Sequence, residues 1–281
     1  MPVLRNLLMS LLALAPLAGC QSSNVLVTIS PDQAKQVNLH PTGGIAANDD
    51  GQLYLTTASN LVRYDPDNHS LTDLLLQPAS DLGDVAFTKD GVALVARAGQ
   101  LDAYLSGYLV KVIDLPATAQ AVSCGRDSAY IQTRHTIGTT RLLRYGLISH
   151  QLDTLAIMDH PLDAICAVPG GCLVAAGGNV FKVTDPAPDT HETIVAMLFA
   201  IQGPVVSLAA DPTEKIVYVS DPDMTYVWTQ GTILPFFPSG GRLAWNNDTL
   251  TICQTGTGQI VQIQAAAARV AGLLKGLTAS K

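Results

Sequence analysis

The chain is 281 residues long, with 48% hydrophobic residues, only 14% charged residues and a formal net charge of −7. That hydrophobic share excludes a disordered chain, which needs low hydrophobicity and high charge. The negative balance excludes a nucleic-acid binder, which needs a basic footprint. Of 23 acidic residues, Glu192 and Glu214 are the two glutamates and the rest are Asp. Asp favours turns, whereas Glu and Lys favour helices. The composition therefore points to β structure with many turns and excludes a Glu/Lys-rich coiled coil.

The first residues read as a leader. Arg5 precedes an apolar run from Leu7 to Leu17. The run is too short to cross a ~30 Å hydrocarbon core as a helix, and with small residues behind it reads as a secretory signal. Leu17-Ala18-Gly19-Cys20 resembles the bacterial lipobox. That resemblance implies that residues 1–19 are removed, that Cys20 is lipidated, and that residues 20–23 form a polar tether. Gln21 stands where an Asp signals retention at the inner membrane. By resemblance to Gram-negative lipoproteins, the expected location is the outer membrane, facing the periplasm. Several acyl chains, at ~0.8 kcal/mol per buried methylene, make such an anchor durable.

Residues 24–281 read as one repeating domain. Asn24–Ser30 and Lys35–His40 resemble the third and fourth strands of a repeat unit whose start is missing. Six complete starts follow, near residues 43, 82, 119, 161, 203 and 240. Each start is a strand of small residues, such as Ile45-Ala46-Ala47, leading into a turn such as Asp50-Gly51 or Asp90-Gly91. A β-branched or aromatic strand comes next (Gln52–Thr56, Lys215–Ser220), then a third (Leu61–Tyr64, Asn179–Val183) and a fourth (Leu71–Leu76, Thr193–Phe199). Four short strands at a period of about 40 residues predict an all-β, six-bladed β-propeller with four-stranded antiparallel blades. At the end of the chain, Gln259–Gln264 and Arg269–Gly276 compete with the N-terminal strands to close the ring, and Ala265–Lys281 is Ala/Leu-rich enough to form a helix instead.

Gly44-Ile45-Ala46, Asp50-Gly51, Leu53-Tyr54-Leu55 and Val62-Arg63-Tyr64-Asp65-Pro66 resemble an NHL-type repeat, and Val217-Tyr218-Val219-Ser220-Asp221 does so again. The resemblance extends to six-bladed propellers of the NHL, YWTD and gluconolactonase-like kind. It implies a fold, and for the gluconolactonase-like group a calcium held at the axis by Glu, Asn and Asp side chains of the inner strands. The matching positions here are Ala46, Ala86, Ser123, Ala167, Leu208 and Ala244. They supply too few of the six to eight oxygens that calcium takes. Asn48, Asp211 and Asn246 are weak candidates beside the first turns. Asp65-Pro66-Asp67-Asn68 lacks the Gly and terminal Glu of a calcium loop. No metal ligand set and no catalytic residue is therefore assigned.

Loops around one mouth of a propeller commonly bind ligands. That face is expected to present His40, Arg97, Arg134, His135, His160, Asp221 and Asp223, with Asp81 and Asp84 nearby. Cysteines 124, 166, 172 and 253 would lie in an oxidising compartment. Cys166 and Cys172 flank Pro169-Gly170-Gly171 on two arms of a hairpin, so a disulfide between them is a candidate, with buried free thiols as the other reading. The leading functional expectation is a membrane-anchored periplasmic binding or scaffold lipoprotein, without a cofactor, presenting its face to an envelope protein or a small polar ligand. The alternative is a calcium-dependent lactonase or esterase-like hydrolase. Replacing the lipidation cysteine (Cys20→Ala) is expected to abolish labelled-palmitate incorporation and release the protein from the membrane fraction; unchanged fractionation and labelling would refute the anchor.

Overall fold

The computed structural model describes residues 25–28, 43–65, 70–135, 138–187, 192–254 and 259–279. The leader, Cys20, the tether, Lys35–His40 and most of Asp65–Asn68 lie outside them. Strand β1 (Val25–Thr28) precedes the first blade. Blade one runs β2 (Ile45–Ala47), β3 (Leu53–Thr56), β4 (Leu61–Asp65) and β5 (Ser70–Asp73). Blade two runs β6 (Leu82–Phe87), β7 (Ala93–Arg97), β8 (Gln100–Leu105) and β9 (Tyr108–Asp114). Blade three runs β10 (Ala119–Cys124), β11 (Ser128–Arg134), β12 (Thr140–Gly146) and β13 (Leu152–Met158). Blade four runs β14 (Ala164–Val168), β15 (Gly171–Ala176), β16 (Asn179–Thr184) and β17 (Val195–Ala200). Blade five runs β18 (Ser207–Ala210), β19 (Ile216–Ser220), β20 (Thr225–Thr229) and β21 (Thr232–Phe237). Blade six has β22 (Arg242–Asn246), β23 (Thr249–Cys253) and β24 (Gln259–Ile263), with β1 as its outermost strand. Each inner strand touches that of the next blade and β22 touches β2. The fold is the six-bladed propeller that the repeat predicts.

The core is a ring. In each blade the second strand carries a fully buried aliphatic residue at a matching position: Leu55, Val95, Ile131, Val174, Val219 and Ile252. Each pairs with an aliphatic residue of its inner strand, Ile45, Val85, Val122, Ile165, Leu208 and Leu243 respectively. Burying each such side chain stabilises by about 1.5–3 kcal/mol. Because every blade has its aliphatic pair at the same height, the faces of neighbouring blades interdigitate.

The first turns share a device. Asn48 Oδ1 accepts from the Gln52 N–H at 2.9 Å, Thr88 Oγ1 from Val92 N–H at 3.2 Å, and Asp211 Oδ1 from Ile216 N–H at 2.7 Å. Asp-Gly turns in blades one and two place Gly51 and Gly91 at φ 79° and 78°, a conformation that costs a residue with a Cβ far more than glycine. The fourth strand of blade one is shorter than the sequence suggests. Leu75 leaves the ladder and donates its N–H to Asn60 Oδ1 at 3.1 Å, turning the chain toward blade two.

Polar stitches join the blades. Thr56 Oγ1 accepts from Gly44 N–H at 2.8 Å and donates to Gly83 O at 2.5 Å, tying blade one to blade two. Ser220 Oγ donates to Gly241 O at 2.5 Å, tying five to six. Asn246 Nδ2 donates to Asn48 O and Asn247 Nδ2 to Asp49 O, tying six to one. Beyond β24 the chain forms helix α1 (Ala266–Ala279). Asp248 starts it, accepting Ala266 N–H on its carbonyl at 3.0 Å and Ala267 N–H on Oδ1 at 2.9 Å. Ala266, Val270 and Leu274 pack the helix onto Tyr218, Leu250 and Ile263. Thr56→Val keeps the shape but strands both of its buried backbone partners. It is expected to lower unfolding free energy by about 1–3 kcal/mol in urea titration; an unchanged midpoint would mean that the stitch carries no stability.

Candidate functional site

Pairings Leu82 with Arg97, Ala119 with Thr133 and Ser207 with Ser220 put the starts of the inner strands and the ends of the second strands at one mouth, the upper one. The first turns line the lower mouth. Between them the inner strands enclose a tunnel of about 250 Å³. At its upper level stand one residue per blade: Gly44, Asp84, Ala121, Ala164, Ser207 and Arg242. Among the described lining residues, Asp84 and Arg242 are the two with formal charge.

Asp84 reaches across its neighbour. A Cβ on Gly44 would fall 1.4 Å from Asp84 Oδ1, so the carboxyl occupies the volume that a side chain at position 44 would fill. Its Oδ1 accepts from Val85 N–H at 2.9 Å and its Oδ2 from Val122 N–H at 3.4 Å. Protein encloses the carboxyl at depth, although the residue itself is only half-buried because it borders the tunnel. That enclosure raises its pKa to about 6, against the opposing pull of the Arg242 charge and the two N–H donors. Arg242 begins β22, and its Nη1 donates to Val206 O at 3.1 Å. Gly241 before it sits at φ 148°, where a Cβ would meet Cys253 O at 2.3 Å. Two glycines thus seat the acid and the base on either side of blade one.

Two of the rim residues expected from sequence, Arg97 and Asp221, are structural. Arg97 pairs with the fully buried Asp102 at 2.9 Å, and Gln100 Nε2 reaches the same carboxylate at 2.7 Å. Asp221 is a turn anchor: Oδ1 accepts the N–H groups of Asp223 and Met224 at 2.7 Å each, and Oδ2 accepts the Tyr226 hydroxyl at 3.1 Å. His135 Nδ1 lies 2.8 Å from Arg141 Nη2. Arg134, His160 and Asp223 are exposed, and His40 is outside the described residues. Arg242 is the charged tunnel residue that sequence reading missed. Its only local signal is the Gly240-Gly241 pair that opens its blade.

The calcium expected for gluconolactonase-like propellers does not fit this donor set. The upper level offers one carboxylate, one hydroxyl already accepting the Leu243 N–H at 3.0 Å, and a guanidinium that repels a cation. Calcium takes six to eight oxygens. Pairing also corrects two equivalences: Cys166 and Ala209, rather than Ala167 and Leu208, share the height of Ala46, one step below the aliphatic pairs. Asn48 and Asp211 spend their side-chain oxygens on the first turns, and Asn246 holds blade six to blade one. All three therefore have structural partners within or between blades.

No family model matches the sequence, and no curated protein does. Solved structures match in fold. A luciferin-regenerating enzyme is similar with a TM-score of 0.68 and 10% identity over 86% of this chain and 95% of that one. A gluconolactonase from Xanthomonas campestris is similar with a TM-score of 0.65 and 11% identity, over 86% of this chain and 95% of that one. A calcium-binding regucalcin from Agrobacterium tumefaciens follows with a TM-score of 0.62 and 11% identity, over 80% and 92%. Identities this low show the shared propeller. The expectation of a binding or scaffold protein is nevertheless corrected toward its alternative: a gluconolactonase and a luciferin-regenerating enzyme share this fold, and two of the rim residues that carried the scaffold reading are committed within their own blades.

The Cys166–Cys172 disulfide is also corrected. Cys166 pairs with Leu173 and Cys172 with Ala167, so the two thiols leave opposite faces of blade four. Cys166 packs toward Leu208 and Val217, and Cys172 toward Tyr130 and Leu142. All four are free thiols. Burial pushes Cys124, Cys166 and Cys253 up to about 12 and raises Cys172 as well, which keeps them protonated and unreactive. Alkylation of the unreduced, urea-unfolded protein is expected to modify all four, mapped by mass spectrometry; a linked Cys166–Cys172 peptide would overturn the pairing register.

Proposed function

We propose that the chain is a hydrolase of small lactones or esters that works at the upper mouth of the tunnel without a metal ion. The observation that carries this reading is the Asp84 carboxyl, seated over Gly44 and within electrostatic reach of Arg242. A carboxylate with a pKa near 6 is ionised at neutral pH and still basic enough to accept a proton. In the proposed reaction Asp84 takes a proton from water as its oxygen bonds to the substrate carbonyl carbon. Arg242 donates to the carbonyl oxygen as negative charge grows there. The carbon–oxygen ester bond then breaks, and the proton held by Asp84 passes to the leaving alkoxide, so that a lactone becomes a hydroxy acid. Structural likeness to a gluconolactonase and a luciferin-regenerating enzyme supports the reading at the level of the scaffold. The lipobox-like leader adds the proposal that the enzyme is tethered at the outer membrane, facing the periplasm. With a panel of sugar lactones and aryl esters, kcat/KM is expected to rise with pH through a midpoint near 6, because the ionised form is the base. Asp84→Asn is expected to lose about 100-fold or more and with it the pH dependence. An Asp84→Asn protein as active as the parent would refute the assignment.

A further inference from the structure

We infer that the upper mouth is an anion site, in which Arg242 and the open tunnel before it take the carboxylate of a small hydroxy acid where a cation would otherwise lie. This deepens the hydrolase reading, because the ligand class is the product of lactone opening. The argument stands on the lining. A permanent guanidinium is held at the tunnel rim by the Val206 carbonyl. The facing wall is small or neutral, with Ala121, Ala164 and Ser207 completing the level. Ser207 and Thr56 have their hydroxyls committed to backbone partners, so the wall does not compete for the ligand's charge. A cavity of about 250 Å³ is too small for a peptide or a sugar chain and suits a single small acid.

The site is also coupled to protons. The charged group facing Arg242 along the described lining is Asp84, from β6. The other titratable groups are the Cys124 thiol of β10 and the Cys166 thiol of β14, both neutral up to about 12. Strands β2 and β18 contribute none there. An ionised Asp84 therefore repels an arriving carboxylate and draws on the Arg242 charge. A protonated Asp84 does neither and can donate a hydrogen bond to the ligand. The ligand should bind more tightly below the Asp84 pKa of about 6 than above it, and by linkage should hold the proton on Asp84.

The test is calorimetric titration of chelator-treated protein with D-gluconate at about pH 5 and about pH 7.5, and separately with calcium chloride alone. Gluconate is expected to bind about tenfold more tightly at the lower pH, and calcium chloride not at all. Asp84→Asn should bring affinity at the higher pH to that at the lower. Arg242→Gln should weaken binding about tenfold at both, and Arg242→Lys, which keeps the charge, should fall between. Thermal melts establish that each variant is folded, and the Lys variant decides the matter if the Gln variant is not. Stoichiometric calcium binding, gluconate binding that needs calcium, no gluconate binding, or affinity indifferent to Arg242 would each overturn the anion site. Gluconate binding with the expected dependences, in a protein that opens no lactone, would uphold this site and sink the hydrolase reading. Lactone opening without gluconate binding would do the reverse.

Discussion

Six sheets meet along one line, and that meeting is the constraint from which the rest of the molecule follows. Inner strands that converge on an axis have room only for small or slender side chains, while the strands just behind them must fill a widening wedge. Ala46, Ala86, Ser123, Cys166, Ala209 and Ala244 answer the first demand. The aliphatic pairs answer the second, at one height in all six blades. Because that height is common, the residue one step above each pair arrives at the same level of the tunnel. The upper level is thus a set of six positions where chemistry can be placed without disturbing the packing beneath.

The chain spends those positions sparingly. One carries an acid, one a base, and the blade between them carries glycine. The glycine is a vacancy for the acid, and the carbonyl next to the acid is held by the hydroxyl that also accepts the glycine N–H. Stability and placement are therefore the same feature: Thr56 ties two blades together and, by doing so, fixes the distance between Gly44 and Asp84. Enclosure raises the cost of ionising the carboxyl, and the guanidinium returns part of it. A carboxyl so poised titrates in a range where ordinary surface carboxylates are already fully charged.

The propeller itself was legible because its signals are local and repeated. A small inner strand, a tight turn and a buried second strand are each decided within a dozen residues and then recur in all six blades. What escaped depends on relations between distant residues. Asp84 lies near the expected face, but Arg242, whose charge acts on it, belongs to a blade at the other end of the chain, and only ring closure sets the two on either side of blade one. The disulfide was misjudged by one residue of register, which in a strand reverses the face of every side chain. Arg97 and Asp221 look like rim charges in sequence, yet a buried carboxylate at Asp102 and a tight turn after Asp221 absorb them. The inner positions matched to calcium ligands are mostly small or apolar, and pairing shifts two of them by one residue, to Cys166 and Ala209.

One topological feature reaches beyond the finished molecule. The outermost strand of the last blade, β1, comes from the opposite terminus, and it lies against β24. The earliest part of the domain to be synthesised must wait for the latest before it finds its place. Contacts of such long sequence separation are slow to form, and until this one is made the last sheet has an open edge able to recruit foreign strands. The ring is consequently sealed only after β24 has been made, and a ribosome that releases a shorter fragment releases an unsealed ring.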